Sequence, residues 1–274
     1  NKFKGFYGAD SVQGAIIPNK FLKDGTTNVF DFSGDFDIFC WVTTPKLNDN
    51  SSTVFSKQNS STEGIRIKLN KQSGGVNADK YYASVDLHST FASQTQKSIN
   101  TNGTGAGNGV TVNSSSFVDA STYDSASSTW TVVKPCLIRL QRKGKTFNLW
   151  LVNGSESTPF GLPNVTYTGT SGYPKTTGSF SVPTDAVIGG FADAWSTNTV
   201  TSVAGKFFGR IYSIRIYSNV LELQSANHIF SSRPIPLIMK LAGSLYKMDS
   251  TIDQKTLYVK GFGKVIIDSL ISDQ

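Results

Sequence analysis

Glutamate, histidine, cysteine and long apolar runs are all scarce in this 274-residue chain. Its three Glu, at Glu63, Glu156 and Glu222, are isolated from one another, and His88 and His228 each stand alone. No Ser/His/Asp arrangement and no nucleophile elbow is visible, so catalysis is not expected. Neither of the two cysteines, Cys40 and Cys136, has a Cys or His at ligand spacing, which argues against a zinc site. No apolar stretch approaches the roughly 18 residues of a membrane helix. A signal-peptide pattern is also missing, and the first residue is Asn, which reads as a processed chain. The formal net charge of +7 is not gathered on one segment. Only Arg142-Lys143-Gly144-Lys145 is locally dense, which excludes a nucleic-acid surface of the usual kind and leaves a solvated surface or one facing an acidic partner.

What is abundant is turn chemistry. Twenty-five Gly and nine Pro, with much Ser, Thr and Asn, suit a protein of short strands, and 38% hydrophobic with 12% aromatic content supports a core. The clearest stretch is Cys136 to Gly154. Two alternating runs, Cys136–Gln141 and Thr146–Val152, flank a polar break containing Gly144, which is a β-hairpin signal. Cys136, Ile138 and Leu140 share one face with Leu137, Arg139 and Gln141 opposite. Phe147, Leu149 and Leu151 likewise oppose Asn148 and Trp150. Such a hairpin needs a second sheet to cover it.

Further strands are predicted at Ala15–Pro18 (an edge), Phe36–Val42, Thr53–Lys57, Ile65–Leu69, Tyr81–Leu87 and Ala186–Gly190. Another spans Gly205–Ser218, with Tyr212, Ile214 and Ile216 facing one way. A short helix is predicted over Val220–Phe230, with Leu223, Asn227 and Phe230 at helical spacing. Residues 93–128 form a Ser/Thr/Asn/Gly-rich insertion, either a surface loop or short strands capping one end. Cys40 and Cys136 fit either one long-range disulfide or two buried small side chains. Residues 234–274 make a C-terminal extension. Within it, Thr256–Lys260 and Lys264–Asp268 bracket Gly261-Phe262-Gly263 as a probable hairpin for docking or assembly.

The order of these pieces resembles the laminin-G-like, concanavalin A-type jelly roll. It is carried by Phe36–Val42, Val54–Lys57, Gly64–Leu69, Cys136–Gly154, Ile188–Gly190, Phe207–Tyr217 and Leu221–Phe230. The resemblance implies an all-β, antiparallel jelly-roll β-sandwich over residues 1–233 with the extension behind it. The cysteines resemble the pair that pentraxins, relatives of this fold, bridge, which implies a Cys40–Cys136 disulfide. Glycanases on the fold carry a Glu-x-Asp-x-x-Glu spacing on one strand, which is missing here, so the resemblance implies a binding module rather than an enzyme.

By the same resemblance, no cofactor is expected beyond a possible calcium ion held by Asp31, Asp35, Asp37 and Asp193. A sugar site would use Trp195 with Asp193 and Asn198, joined by Tyr123 or Trp130. The expected role is a surface structural or adhesive module, on a virion or otherwise extracellular. It would meet cell-surface glycans and, through residues 234–274, other subunits of a larger assembly. The alternative is a secreted or cell-surface laminin-G-like domain that binds carbohydrate or protein.

Overall fold

The computed structural model describes residues 15–17, 32–45, 51–60, 63–88, 97–104, 109–124, 126–127, 129–168, 184–197, 199–205, 207–231, 257–259 and 263–265. In chain order the elements begin β1 (Ala15–Ile17), β2 (Phe36–Thr43), β3 (Ser51–Ser60), β4 (Glu63–Lys71), β5 (Tyr81–His88) and β6 (Lys97–Asn100). Next come β7 (Val110–Val112), β8 (Thr122–Asp124), β9 (Thr129–Val132), β10 (Pro135–Lys143), β11 (Thr146–Asn153) and β12 (Val165–Thr168). The remainder are β13 (Ala186–Ile188), β14 (Phe191–Ser196), β15 (Thr199–Ala204), β16 (Ile211–Tyr217), helix α1 (Leu223–Ser231), β17 (Leu257–Val259) and β18 (Gly263–Val265).

Two six-stranded antiparallel sheets are stacked as a jelly-roll β-sandwich. The front sheet runs β1-β13-β3-β4-β5-β6 and the back sheet β16-β2-β10-β11-β12-β7. Strand alternation explains the core. Ile65, Ile67 and Leu69 of β4 and Ala83, Val85 and Leu87 of β5 meet Ile38 and Cys40 of β2, Ile138 and Leu140 of β10, and Phe147 and Leu149 of β11. Each fully buried aliphatic or Phe side chain contributes roughly 1.5–3 kcal/mol relative to exposure. The central hairpin forms as its sequence predicts, with Leu140 opposite Leu149 and Lys143 opposite Thr146. Gly144 sits at φ 55°, a left-handed turn conformation.

Four expectations change. Tyr212 does not share a face with Ile214 and Ile216. A register shift between Ile211 and Ser213 inserts one residue, so Ile211, Ile214 and Ile216 join the main core while Tyr212 packs on the opposite side. The helix is present, but its buried face is Ala226, Ile229 and Phe230, with Leu223 56% exposed. The polar insertion is built into both sheets. It supplies β6 as one edge of the front sheet and β7 as one edge of the back sheet, then β8, which pairs with β9 just beyond it. Ile99 and Val118 anchor it in the core, which its scarcity of aliphatic residues had concealed.

The fourth correction concerns the cysteines, which are free thiols, both buried. Cys40 stands opposite Ile138, and Cys136 opposite Val42, on neighbouring antiparallel strands. The two are therefore diagonal, and diagonal positions lie about 7–8 Å apart, beyond the Cα separation a disulfide spans. Burial pushes the Cys136 thiol up to about 12. The Cys40 thiol is raised further, by burial and by its neighbour Cys136. In the C-terminal extension, β17 pairs with β18, Leu257 opposite Val265, as a hairpin.

Candidate functional site

The two outer faces of the sandwich differ in kind. On the back sheet, alternation sends Phe39 and Trp41 of β2, Leu137 of β10, and Trp150 and Val152 of β11 outward. They are sealed by Phe160 from the β11–β12 connection and by Ala226, Ile229 and Phe230 of α1. Trp41 lies against Phe230 with ring centroids 5.2 Å apart. Phe160 meets Phe39, Trp150 and Phe230 edge-on.

Asp37 is embedded beside this cluster. Arg139 donates from Nε to its Oδ1 at 2.9 Å and from Nη2 to its Oδ2 at 2.6 Å. The Leu221 amide donates to Oδ2 at 3.1 Å and Gln141 Nε2 at 3.3 Å. The guanidinium also lies 4.7–5.0 Å from the Phe39, Trp150 and Phe160 ring centroids. Burial raises the Asp37 carboxyl above its usual range, although Arg139 pulls the other way. From Asp37 a polar row crosses the sheet through Gln141, Asn148 and Thr166, each hydrogen-bonded to the next. This face is a fastening between α1 and the sheet.

The front sheet is polar on its outer face from β4 to β6. Because Ile65, Ile67 and Leu69 point inward, Arg66, Lys68 and Asn70 point outward, as do Tyr82, Ser84 and Asp86 of β5 and Ser98 and Asn100 of β6. Register stacks them in three rungs: Arg66–Asp86–Ser98, Lys68–Ser84–Asn100 and Asn70–Tyr82. Lys68 Nζ is 2.6 Å from Asp86 Oδ2, and Ser98 Oγ donates to Asp86 Oδ1 at 2.6 Å. Asn70 Nδ2 donates to Ser84 Oγ. Tyr82 closes one end as an aromatic plate, edge-on to Phe117 from the insertion at 6.4 Å. Arg66, Lys68, Asn70, Tyr82, Ser98, Asn100 and Phe117 are all partly exposed.

The β14–β15 hairpin forms the other border. Val187, Ala192 and Val200 make a small apolar cluster beneath it, and Ser56 Oγ donates to the Gly190 carbonyl at 3.1 Å. Phe191 covers Arg66, the guanidinium carbon lying 3.7 Å from the ring centroid. Gly205, at φ 58°, permits this: a Cβ there would come within 2.2 Å of the Phe191 ring.

The sequence-predicted sugar residues are split between two hairpins. Asp193 is exposed on β14, and Trp195 pairs with Val200 in the hairpin bordering the front face. Tyr123 and Trp130 pair with each other in β8–β9, whose base is tied to the end of β2 through Thr44 and Ser121. Asn198 lies outside the described residues.

For calcium, Asp31 is outside the described residues and Asp35 accepts the Gly144 amide at 2.7 Å. Asp37 is engaged by Arg139, a correction that follows from its outward position on β2 beside an outward Arg on β10. Among the described residues no three His, Cys, Asp or Glu converge. The front-face residues had been legible only as the outward half of the alternation that located the core.

No family model and no curated protein matches the chain. Among solved structures it is similar to the CBM40 domain of a Ruminococcus gnavus IT-sialidase bound to α2,3-sialyllactose. Identity there is 13% over 86% of this chain and 100% of that one, at a TM-score of 0.42. It is also similar to the enzymatically active domain of tailspike protein 2 from bacteriophage CBA120, at 11% identity over 81% of this chain and 30% of that one, TM-score 0.43. A third is the binding domain of botulinum neurotoxin serotype D/C, at 13% identity over 74% of this chain and 37% of that one, TM-score 0.30.

Proposed function

We propose that this chain is a non-catalytic surface module that binds glycans on the outer face of the front sheet, as a component of a virus or phage particle. The observation that carries the glycan reading is the contrast between the two outer faces. One is closed by aromatic side chains and a helix. The other presents ordered rungs of amide, hydroxyl and charged groups, ending in the Tyr82 ring. Saccharides need this combination, because their hydroxyls both donate and accept hydrogen bonds while their C–H faces pack on aromatic rings. Of the three buried carboxylates among the described residues, Asp37 and Asp86 are each neutralised by a cation and Asp185 accepts the Val200 amide at 3.0 Å, an arrangement that suits structure rather than proton transfer.

The particle role assigns an assembly function to the C-terminal extension. The β17–β18 hairpin has strands of three residues, too short to stand alone in water, and β18 lies beside β16, the edge strand of the back sheet. In this reading residues 234–274 dock on neighbouring subunits, and the glycan face is directed to the cell surface.

A glycan array with the wild-type protein and Tyr82→Ala tests the binding half. Loss of one stacking contact is expected to weaken binding about tenfold, or roughly 1.4 kcal/mol. Unchanged binding in the variant would exclude this face. Recovery of the native protein from culture fluid rather than from particles would favour a secreted module over a virion component.

A further inference from the structure

We infer that the saccharide taken by the front face is an acidic one, and that its carboxylate or sulfate is seated on the guanidinium of Arg66. This rests on the glycan reading above and specifies its ligand class. The outward positions of β4, β5 and β6 carry two cations, Arg66 and Lys68, against the single carboxylate of Asp86, so this face is net positive. The two cations share that carboxylate unequally. Lys68 Nζ lies 2.6 Å from Asp86 Oδ2, and Ser98 Oγ donates to Oδ1 at 2.6 Å, so both carboxylate oxygens are engaged. Arg66 stands opposite Asp86 in the register but reaches toward β3, its Nε donating to Thr53 Oγ1 at 3.0 Å.

What is left of Arg66 is shaped for an anion. Phe191 covers one flat side of the guanidinium at 3.7 Å and Thr53 fixes Nε, so the side chain is held before any ligand arrives. Its terminal nitrogens, Nη1 and Nη2, donate to no group among the described residues, and the side chain stays partly exposed. Burial lowers the Arg66 pKa and Asp86 only partly opposes this, so the cation is short of counter-charge. A carboxylate or sulfate presents paired oxygens to this fork, and a pre-set, partly desolvated guanidinium holds them better than a mobile, hydrated lysine does. Tyr82 lies four residues along β5 from Asp86, about 14 Å away. That is farther than one sugar ring reaches. The ligand is therefore an oligosaccharide, with its acid on Arg66 and a neutral ring packed on Tyr82.

The test is titration calorimetry of the full chain with a neutral oligosaccharide and with its sialylated and sulfated counterparts, at low and high salt. Arg66→Lys, Thr53→Val and Tyr82→Ala are measured in parallel, each with a thermal melt to report its folding. At least one acidic ligand is expected to bind about tenfold or more tighter than the neutral parent, by a margin that shrinks at high salt. Whichever acidic ligand binds tighter identifies the acid as carboxylate or sulfate. Arg66→Lys keeps the charge without the fork and should narrow the acidic-over-neutral ratio to about twofold. Thr53→Val frees the fork and should narrow the ratio in part; it decides the matter if Arg66→Lys does not melt cooperatively. Acidic ligands bound no tighter than the neutral parent, with binding still weakened in Tyr82→Ala, would overturn the acidic assignment while keeping the glycan face. A ratio unchanged in the folded variants would overturn the seat on Arg66. No binding of any of the three ligands would overturn the glycan reading itself.

Discussion

Arg139 grips Asp37 with two arms of its guanidinium, at 2.9 and 2.6 Å, and the same carboxylate receives the Leu221 amide just before helix α1. The pair thus ties three elements, β2, β10 and the helix entry, on a face otherwise fastened by aromatic contacts. Its two members are not equivalent. Arg139→Met leaves a buried carboxylate without its cation and should cost about 3–5 kcal/mol. Asp37→Asn also leaves a buried ion, the Arg139 guanidinium, without its partner, but it keeps the shape, one acceptor and the three rings around the cation, and should cost less, about 3 kcal/mol. Urea unfolding of the two variants checks the order, and an equal or reversed order contradicts it.

The same carboxyl fixes the sign of a pH effect. Burial raises its pKa in the folded protein above the ordinary value of 3.8, outweighing Arg139. Between the unfolded value and the higher folded one, the folded chain binds more protons at this site. Stability from this group is therefore full below that interval and is lost as pH rises through it. Removing Arg139 takes away a lowering influence and widens the interval. The stability deficit of Arg139→Met should accordingly grow from acidic to neutral pH in urea titrations; a constant or shrinking deficit would contradict this.

Cys40 and Cys136 predict a thiol assay with two distinct phases. Both are fully buried and their thiols are pushed up, so the thiolate that reacts is rare as well as inaccessible. Without reductant, the native protein should give no reaction with an aromatic disulfide reagent, and the protein in denaturant should give two thiols per chain. Zero thiols in denaturant would mean that the diagonal pair is bridged after all.

Much of the sandwich was legible because period-two alternation encodes it directly: Ile65-Arg66-Ile67-Lys68-Leu69 and Cys136–Gln141 point where their pattern says. Tyr212 was misplaced because a bulge changes parity without any mark in composition. Strands β6 and β7 were hidden in a polar tract, since an edge strand needs only one or two anchors such as Ile99. The disulfide expectation failed because sequence separation says nothing of whether two cysteines face each other or stand diagonally. The candidate site is not legible in the sequence for a related reason. Arg66, Lys68, Asn70, Tyr82 and Asn100 lie on three strands, and only their register gathers them. The aromatics that looked best in sequence, Trp195, Tyr123 and Trp130, fall on two separate hairpins.

The most direct test is to map backbone amide shifts by NMR as an oligosaccharide ligand is added. Changes concentrated on β4, β5 and β6, with Tyr82 and Asn100 among the most affected, are predicted. Changes confined to the β8–β9 hairpin or to the helix-covered back sheet would contradict the account.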